Sequence, residues 1–212
     1  MSNQATATPA SATAMSGAVL LLGSLYWEGD QREQDGSKGQ LRKRWRFDHL
    51  DPASIRDLPG LPIRYGRRSG SRSGQFTMVF AGDPLGCGKV GRIRRPFPIC
   101  GNYIPDSTIT DFKEEINALA TAEGISTKKN ASHWTEWGVV AIAVNPQSPF
   151  LQQIRELWTT HLRPQFPFDH TQYGAGIIDG AGILEIALPW NEPGLAGVDF
   201  CFATPTKPDP RQ

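Results

Sequence analysis

The sequence has few cysteines and almost no net charge. Its 212 residues include three cysteines, Cys87, Cys100 and Cys201, an odd number with no close pair. This excludes a disulfide scaffold and a CxxC metal or redox motif, and it favours the reducing cytoplasm. The formal charge is +1, from 22 Lys+Arg and 21 Asp+Glu, so no global field would recruit nucleic acid or a membrane surface.

The sequence also lacks a long apolar run. The run from Ala18 to Leu25 is far shorter than the roughly 20 residues of a membrane-spanning helix. No Lys or Arg precedes it, as the first part of a signal peptide would require. We therefore interpret the run as a buried strand and predict a soluble protein with no membrane partner.

Charge is distributed unevenly along the chain. Residues 1–100 hold 15 Lys/Arg and 8 Asp/Glu, whereas residues 101–212 hold 7 and 13. This asymmetry favours two layers that attract each other over an anionic ligand held by the first half. Basic residues at 42–46, 64–72 and 92–95 are also interleaved with Trp45, Tyr65 and Phe76, so a nucleic-acid-binding domain is a rival hypothesis of lesser weight.

The order of predicted elements indicates an α+β fold. Residues 1–16 are small, polar and uncharged, which predicts a disordered tail. The patterns predict strands at 17–25, 61–65, 75–81, 88–95, 137–144, 182–188 and 198–204, and helices at about 108–123 and 148–163. The strands at 61–65 and 75–81 are predicted to pair as a hairpin, and Ser107 or Thr108 is predicted to cap the first of these helices. Residues 41–47 fit either a strand or a short helix. This order favours an α+β or mixed barrel-like arrangement over a regular βαβ series.

Local motifs for phosphate, acyl-transfer and metal chemistry fail on their spacing. Segment 82–89 resembles a phosphate-binding loop, but Asp83 and Val90 stand where that motif needs Gly and Ser or Thr. Segment 70–74 has Arg72 where a GxSxG elbow needs serine. No metal site is predicted, because HExxH or tight His/Cys spacing is absent around His49, His133, His161 and His170.

Two features carry candidate chemistry. The first is the loop after the first buried strand, formed by Leu22, Gly23, Ser24, Leu25 and Tyr26. Gly23 permits a close backbone approach, so successive N–H groups there can form an anion site for a carboxylate or phosphate. The second is Glu123, at the end of a helix whose other acidic residues lie near its start. The helix dipole disfavours its charge there, as suits a general acid and base near neutral pH.

These pieces occur in the order of a known family. The Leu-Gly-Ser-Leu loop at 22–25 follows an apolar strand, and basic and Gly-containing strands follow at 61–68 and 86–95. A helix ends in Leu-Ala-Thr-Ala-Glu-Gly-Ile at 119–125, and a strand follows at 138–144. Residues 17–145 thereby resemble the γ-glutamylcyclotransferase superfamily, including its ChaC-like branch. Leu22 stands where that family has an aromatic residue.

The resemblance implies a small mixed β-barrel of the γ-glutamylcyclotransferase type with flanking helices. Residues 146–212 have no counterpart in its pattern and are predicted as a C-terminal helix and strand extension packed on the same domain.

The resemblance also implies that the amides of loop 22–26 bind the α-carboxylate of a γ-glutamyl amine, amide or peptide. Glu123 would act as base and then acid, releasing 5-oxoproline without a cofactor. The alternative within the same fold is a non-catalytic protein that binds a small anion or a partner.

Overall fold

The main sheet is built around the first buried strand of the sequence. The structure is a computed structural model that describes residues 13–27, 36–68, 76–81, 86–126, 133–163 and 168–208. The strands are Thr13–Met15 (β1), Gly17–Leu21 (β2), Arg56–Leu61 (β3), Ile63–Arg68 (β4), Phe76–Phe80 (β5), Gly86–Arg92 (β6), Phe97–Ile99 (β7), Ala141–Val144 (β8) and Phe200–Ala203 (β9). The helices are Ser24–Trp27 (α1), Gly36–His49 (α2), Asp106–Glu123 (α3) and Leu151–Leu157 (α4), the last continued by a π-helical turn, Trp158–Leu162. The predicted α+β class is confirmed.

The main sheet has the strand order β3-β6-β2-β9-β8. Strand β2 runs antiparallel to β6 and parallel to β9. Separate pairs are formed by β1 with β7 and by β4 with β5, and the latter confirms the predicted hairpin. Among the described residues, no strand pairing joins β3 to β8, so the sheet is open there and no closed barrel is found.

Both faces of this sheet are buried. Along β2, Val19 and Leu21 pack on one face, while Ala18 and Leu20 pack on the other. Helices α2, α3 and α4 contribute side chains to the first face, and residues between 168 and 198 cover much of the second. A strand covered on both sides needs apolar residues at every position, which explains the continuous apolar run of β2.

Helix α3 confirms the predicted amphipathic helix and extends it by two residues at its start. Phe112, Ile116 and Leu119 recur at helical spacing on its buried face. Gly124 ends it with a φ of 78°, and its N–H bonds back to the last turn. The predicted cap at Ser107 or Thr108 is wrong, because the helix starts after Pro105 and the Thr108 hydroxyl instead donates to the Pro98 carbonyl at 2.7 Å.

Helix α2 resolves the ambiguity at 41–47. Its buried side chains include Arg42, Trp45 and Arg46, which follow the helical spacing although two of them are charged. A hydrophobicity pattern cannot register a stripe made partly of arginine. Within the described ranges, no helix is long and apolar enough to cross a membrane.

Two further predictions need correction. The predicted tail ends earlier than residue 16, because Thr13–Met15 pairs with β7 and Met15 is buried in the core; residues 1–12 lie outside the described residues. The strand predicted at 182–188 is wrong. Only isolated bridges form there, because the Asp179 carboxylate accepts the N–H groups of Ala181 and Ile183 and holds the segment in a turn.

Residues 146–212 are integral to the sheet. Strand β9 lies between β2 and β8, and it pairs with both. Phe200 and Phe202 of β9 enter the same core cluster as Phe112 of α3. The segment predicted as an extension therefore supplies an interior strand, on which the packing of β2 and α3 depends.

His133 packs beside the middle of α3. Its Nε2 lies 2.9 Å from the Asn117 Oδ1. Burial lowers the pKa of this histidine, and the nearby Lys113 ammonium lowers it further, against the opposing effect of a hydrogen bond to the Leu162 backbone. The folded protein therefore resists protonation of His133 where the unfolded chain accepts it.

We expect His133 to make the fold less stable as the pH falls below about 6.5, the ordinary pKa of histidine. The unfolded chain binds the proton first, so the free energy of unfolding decreases from pH 6.5 down to the lower pKa of the folded state. Urea unfolding at pH 7.5 and pH 5 measures this difference. The difference in unfolding free energy between the two pH values should shrink in His133→Gln. It should persist in His161→Gln, which changes an exposed histidine. An unchanged difference in His133→Gln would contradict the role given to His133.

The aromatic cluster around Phe112 should dominate stability. The Phe112 ring is fully buried, with centroids 4.4 Å from Phe97 and 4.7 Å from Phe200. Phe112→Ala should lower the free energy of unfolding by about 3–5 kcal/mol, through lost apolar transfer and a residual cavity. Phe47→Ala, at a ring that is 69% exposed, is the matched control and should change it by less than about 0.5 kcal/mol. Similar losses in both variants would contradict this account of the core.

Candidate functional site

The loop after β2 is a tight turn that leads into α1. Gly23 has a φ of 53°, a left-handed conformation that favours glycine. The N–H of Leu25 donates to the Leu22 carbonyl at 3.2 Å, and the N–H of Tyr26 donates to the Gly23 carbonyl at 3.1 Å. These two amides are engaged within the turn, so an anion clamp at this loop does not include them.

The loop side chains point in different directions. Leu22 approaches Gly88 and packs against the core on the second face of the sheet. Leu25 is fully buried in the first-face core, and Tyr26 packs partly against the same cluster. Tyr26 also presents its ring to Lys89, whose Nζ lies 4.9 Å from the ring centroid. Of these three side chains, only Tyr26 contacts a charged group in the described structure.

Glu123 forms an ion pair with α2. Its Oε2 accepts a hydrogen bond from the Arg42 Nη2 at 2.9 Å, and each side chain is only 10% exposed. Arg46, one helical turn after Arg42, donates from Nη1 to the Leu25 carbonyl at 2.5 Å. Helix α2 thus contacts both sequence-predicted parts of the site, the loop and the carboxylate.

The electrostatic environment of Glu123 differs from the sequence-based expectation. Position alone predicts a carboxylate whose charge the helix dipole disfavours. The Arg42 guanidinium lies directly against it and favours the charged form. The ion pair with Arg42 therefore fixes the orientation of the Glu123 side chain.

A second charged group contacts the loop through Tyr26. Lys89 of β6 stands opposite Leu21, the last residue of β2, and its Nζ donates to the Asp57 Oδ1 at 2.5 Å. This hydrogen bond raises the pKa of Lys89, and the nearby Tyr26 and Asp57 contribute in the same direction. The ammonium is held beside Tyr26, and among the described residues Asp57 accepts from one of its three donors.

Sequence reasoning missed Arg42, Arg46 and Lys89. The arginines stand at i and i+4, and this spacing on a helix is a signal that two charged groups share one face. That signal becomes usable only after 41–47 is assigned as helix. Lys89 carries no such signal, because its position depends on the register between β2 and β6.

The other polar cluster on α3 is separate from Glu123. Glu115 is 5% exposed, and its Oε2 lies 2.8 Å from His49 Nδ1. Arg95 lies between Asp111 and Glu114, with Nη1 at 2.5 Å and 2.7 Å from their carboxylate oxygens. These contacts join the end of α2 and the chain after β6 to α3, and they account for much of the attraction between the basic and acidic halves.

Two cavities lie beside the sheet but do not include the loop or Glu123. One, of about 320 Å³, is lined by Ile63, Arg64, Tyr65, Met78, Gly86 and Cys87; the other, of about 280 Å³, is lined by Gly60, Pro62, Ala81, Gly176, Ile177, Glu185, Ile186 and Ala187. Segments 28–35, 69–75, 82–85 and 127–132 lie outside the described residues, including most of the sequence motifs at 70–74 and 82–89. In the part of the chain that the structure describes, no group of three or more His, Cys, Asp or Glu residues is arranged to hold a metal ion.

Comparisons with known proteins do not assign the chain to a family. No family model matches the sequence, and no curated protein or solved structure matches it significantly.

The ion pair between Arg42 and Glu123 should stabilise the fold because both groups are nearly buried. Arg42→Met should lower the free energy of unfolding by about 3 kcal/mol, since it leaves the carboxylate without this cation. The double variant with Glu123→Gln should recover part of that loss, as a double-mutant cycle measures.

Arg44→Met is the matched control for this measurement. Arg44 lies on the same helix, but its side chain is 81% exposed and pairs with Asp48 across one turn. Its loss should cost less than about 0.5 kcal/mol. Equal losses for Arg42→Met and Arg44→Met, with no coupling to Glu123, would contradict a stabilising role for the buried pair.

Proposed function

We propose that the protein is a γ-glutamylcyclotransferase-like enzyme that releases 5-oxoproline from a γ-glutamyl amine, amide or peptide. One observation carries the proposal. Two arginines of α2, one turn apart, contact the loop after β2 and the carboxylate at the end of α3. These two parts are about one hundred residues apart in sequence, and they are the parts that the family resemblance pairs as clamp and acid/base.

The chemistry is an internal aminolysis. The Glu123 carboxylate accepts a proton from the substrate α-ammonium, and the freed amine attacks the γ-carbonyl carbon to form the ring C–N bond. The bond from that carbon to the leaving nitrogen then breaks, and Glu123 returns its proton to that nitrogen. The second proton lost on ring closure passes to the departing amine or to water. Fixing amine and carbonyl in one site supplies the orientation on which the ring closure depends.

Helix α2 fixes the position of Glu123. Arg42 donates a hydrogen bond to the carboxylate and restricts its orientation. The adjacent contact from Arg46 to the Leu25 carbonyl fixes the same helix to the loop. A displacement of α2 would therefore disturb both parts of the site together.

We further propose that the open sheet belongs to the barrel expected for this family. The β4–β5 hairpin lies against the start of β6, where Ile63 occupies the space above Gly86. A Cβ at Gly86 would approach Ile63 Cγ1 to 2.2 Å, so glycine permits this close approach. The hairpin would continue the wall of the barrel beyond β3 and β6.

We also propose that the protein is located in the cytoplasm. Its cysteines are free and two of them are exposed, which fits a reducing compartment.

The proposal predicts that turnover depends on the Glu123 carboxylate. Purified protein should release 5-oxoproline from at least one member of a panel of γ-glutamyl amines, amides and dipeptides. Glu123→Gln keeps the shape of the side chain but removes its proton transfer, so kcat should fall by about 100-fold or more. Glu156→Gln, which removes an exposed carboxylate on α4, is the control and should retain wild-type kcat.

Two results would contradict the proposal. Full activity in Glu123→Gln would exclude Glu123 as the acid/base. Absence of 5-oxoproline from every member of the panel, with protein shown to be folded by circular dichroism, would favour the non-catalytic binding protein of the same fold.

A further inference from the structure

Two fixed charges of opposite sign are linked to the loop, one through α2 and one through Tyr26. Glu123 is held on the α2 side by Arg42, and Lys89 is held on the β6 side by Asp57 and the Tyr26 ring. An α-amino acid head group carries an ammonium and a carboxylate on one carbon atom, so its charges are complementary to this pair. The signs of the two charges fit a zwitterionic ligand.

Two of the loop amides cannot bind the carboxylate of such a ligand. The N–H groups of Leu25 and Tyr26 are bonded within the turn, so they cannot serve an incoming carboxylate. Lys89 is the charged group that contacts the loop through Tyr26. An ammonium has three donors, and the contact recorded with Asp57 uses one of them.

The surroundings of Lys89 orient the ammonium without burying it. Its side chain is 22% exposed, whereas Asp57 is 69% exposed, so a ligand can reach Nζ from solvent. Register places Lys89 opposite Leu21, one residue before the loop, and Asp57 opposite Lys89 on β3. Side chains opposite each other in an antiparallel pair share a face, which places Lys89 on the face where Leu21, Leu25 and Glu123's helix pack.

We propose that Lys89 binds the α-carboxylate of the substrate and thereby selects γ-glutamyl compounds with a free α-carboxylate. This inference rests on the proposed function and adds a specificity-determining residue to it. Asp57 and Tyr26 are positioning residues that hold the ammonium at the edge of the loop. Glu123 faces the α-ammonium, so the two ends of the head group are recognised by different elements.

Binding of two lactams tests the inference without turnover. L-5-oxoproline carries the carboxylate, and its carboxamide, L-pyroglutamamide, has the same ring without the charge. Titration calorimetry of the full chain should show that 5-oxoproline binds about 10- to 100-fold more tightly than the carboxamide, the range expected for a hydrogen bond between charged groups. Lys89→Gln should abolish this preference, whereas Lys89→Arg should retain most of it.

Two controls separate this effect from a general change in surface charge. Lys113→Gln removes an exposed cation of α3 and should leave the preference unchanged. Glu156→Gln removes an exposed carboxylate of α4 and should also leave it unchanged. Melting temperatures measured for all variants identify any that fail to fold. If Lys89→Gln fails to fold, retention of the preference for 5-oxoproline in Lys89→Arg decides the test.

The outcomes distinguish the two proposals. Undiminished preference for 5-oxoproline in Lys89→Gln, or equal binding of the two lactams by the wild type, overturns the role of Lys89 whether or not the protein turns over a substrate. Absence of lactam binding by the wild type also overturns it. Lys89-dependent binding in a protein that releases no 5-oxoproline from the panel supports the carboxylate site and rejects only the proposed catalysis.

Discussion

The positioning of the candidate site depends on the burial of two guanidinium groups on α2. A charged group removed from water is tolerated only when it is paired or hydrogen-bonded. Arg42 is paired with the Glu123 carboxylate, and Arg46 is bonded to the Leu25 carbonyl. Each contact restricts where α2 can lie, and together they join α2 to the loop after β2 and to the end of α3. The apolar contacts of Trp45 and Leu25 in the first-face core support the same arrangement, but they do not specify it as sharply.

The sheet supplies the other half of the site through its register. Because β6 pairs with both β2 and β3, Lys89 lies opposite Leu21 on one side and Asp57 on the other. A shift of one residue would move Lys89 to the second face, where the core around Leu20 and Val90 has no place for an ammonium. The apolar alternation that fixes this register therefore also determines which charge lies beside the loop.

The elements with strong local patterns could be predicted from sequence. The apolar run of β2, the stripe of α3 with its terminal Gly124 and the β4–β5 hairpin each carry their own signal. Helix α2 has a weaker hydrophobic periodicity, because two of its buried residues are arginines. A sequence pattern counts arginine as polar, and only the folded structure shows the partners that allow it to be buried. The false strand at 182–188 shows the opposite error. There, apolar residues are buried on irregular backbone. The Ile183 N–H donates to the Asp179 side chain and the Leu184 N–H donates to Ile142 of β8, so only isolated bridges form.

Some residues of the candidate site could likewise be predicted from sequence, and others could not. Glu123 and the loop could be selected from sequence because each follows a recognisable element, a helix end or a strand end. Their partners could not, since Arg42 reaches Glu123 across 81 positions and Lys89 reaches Asp57 across 32. Such long-range pairs determine whether a carboxylate is charged and whether an ammonium is fixed in place. The residues that would perform the chemistry are thus visible in local sequence, whereas the groups that adjust their charge and orientation are specified by tertiary packing.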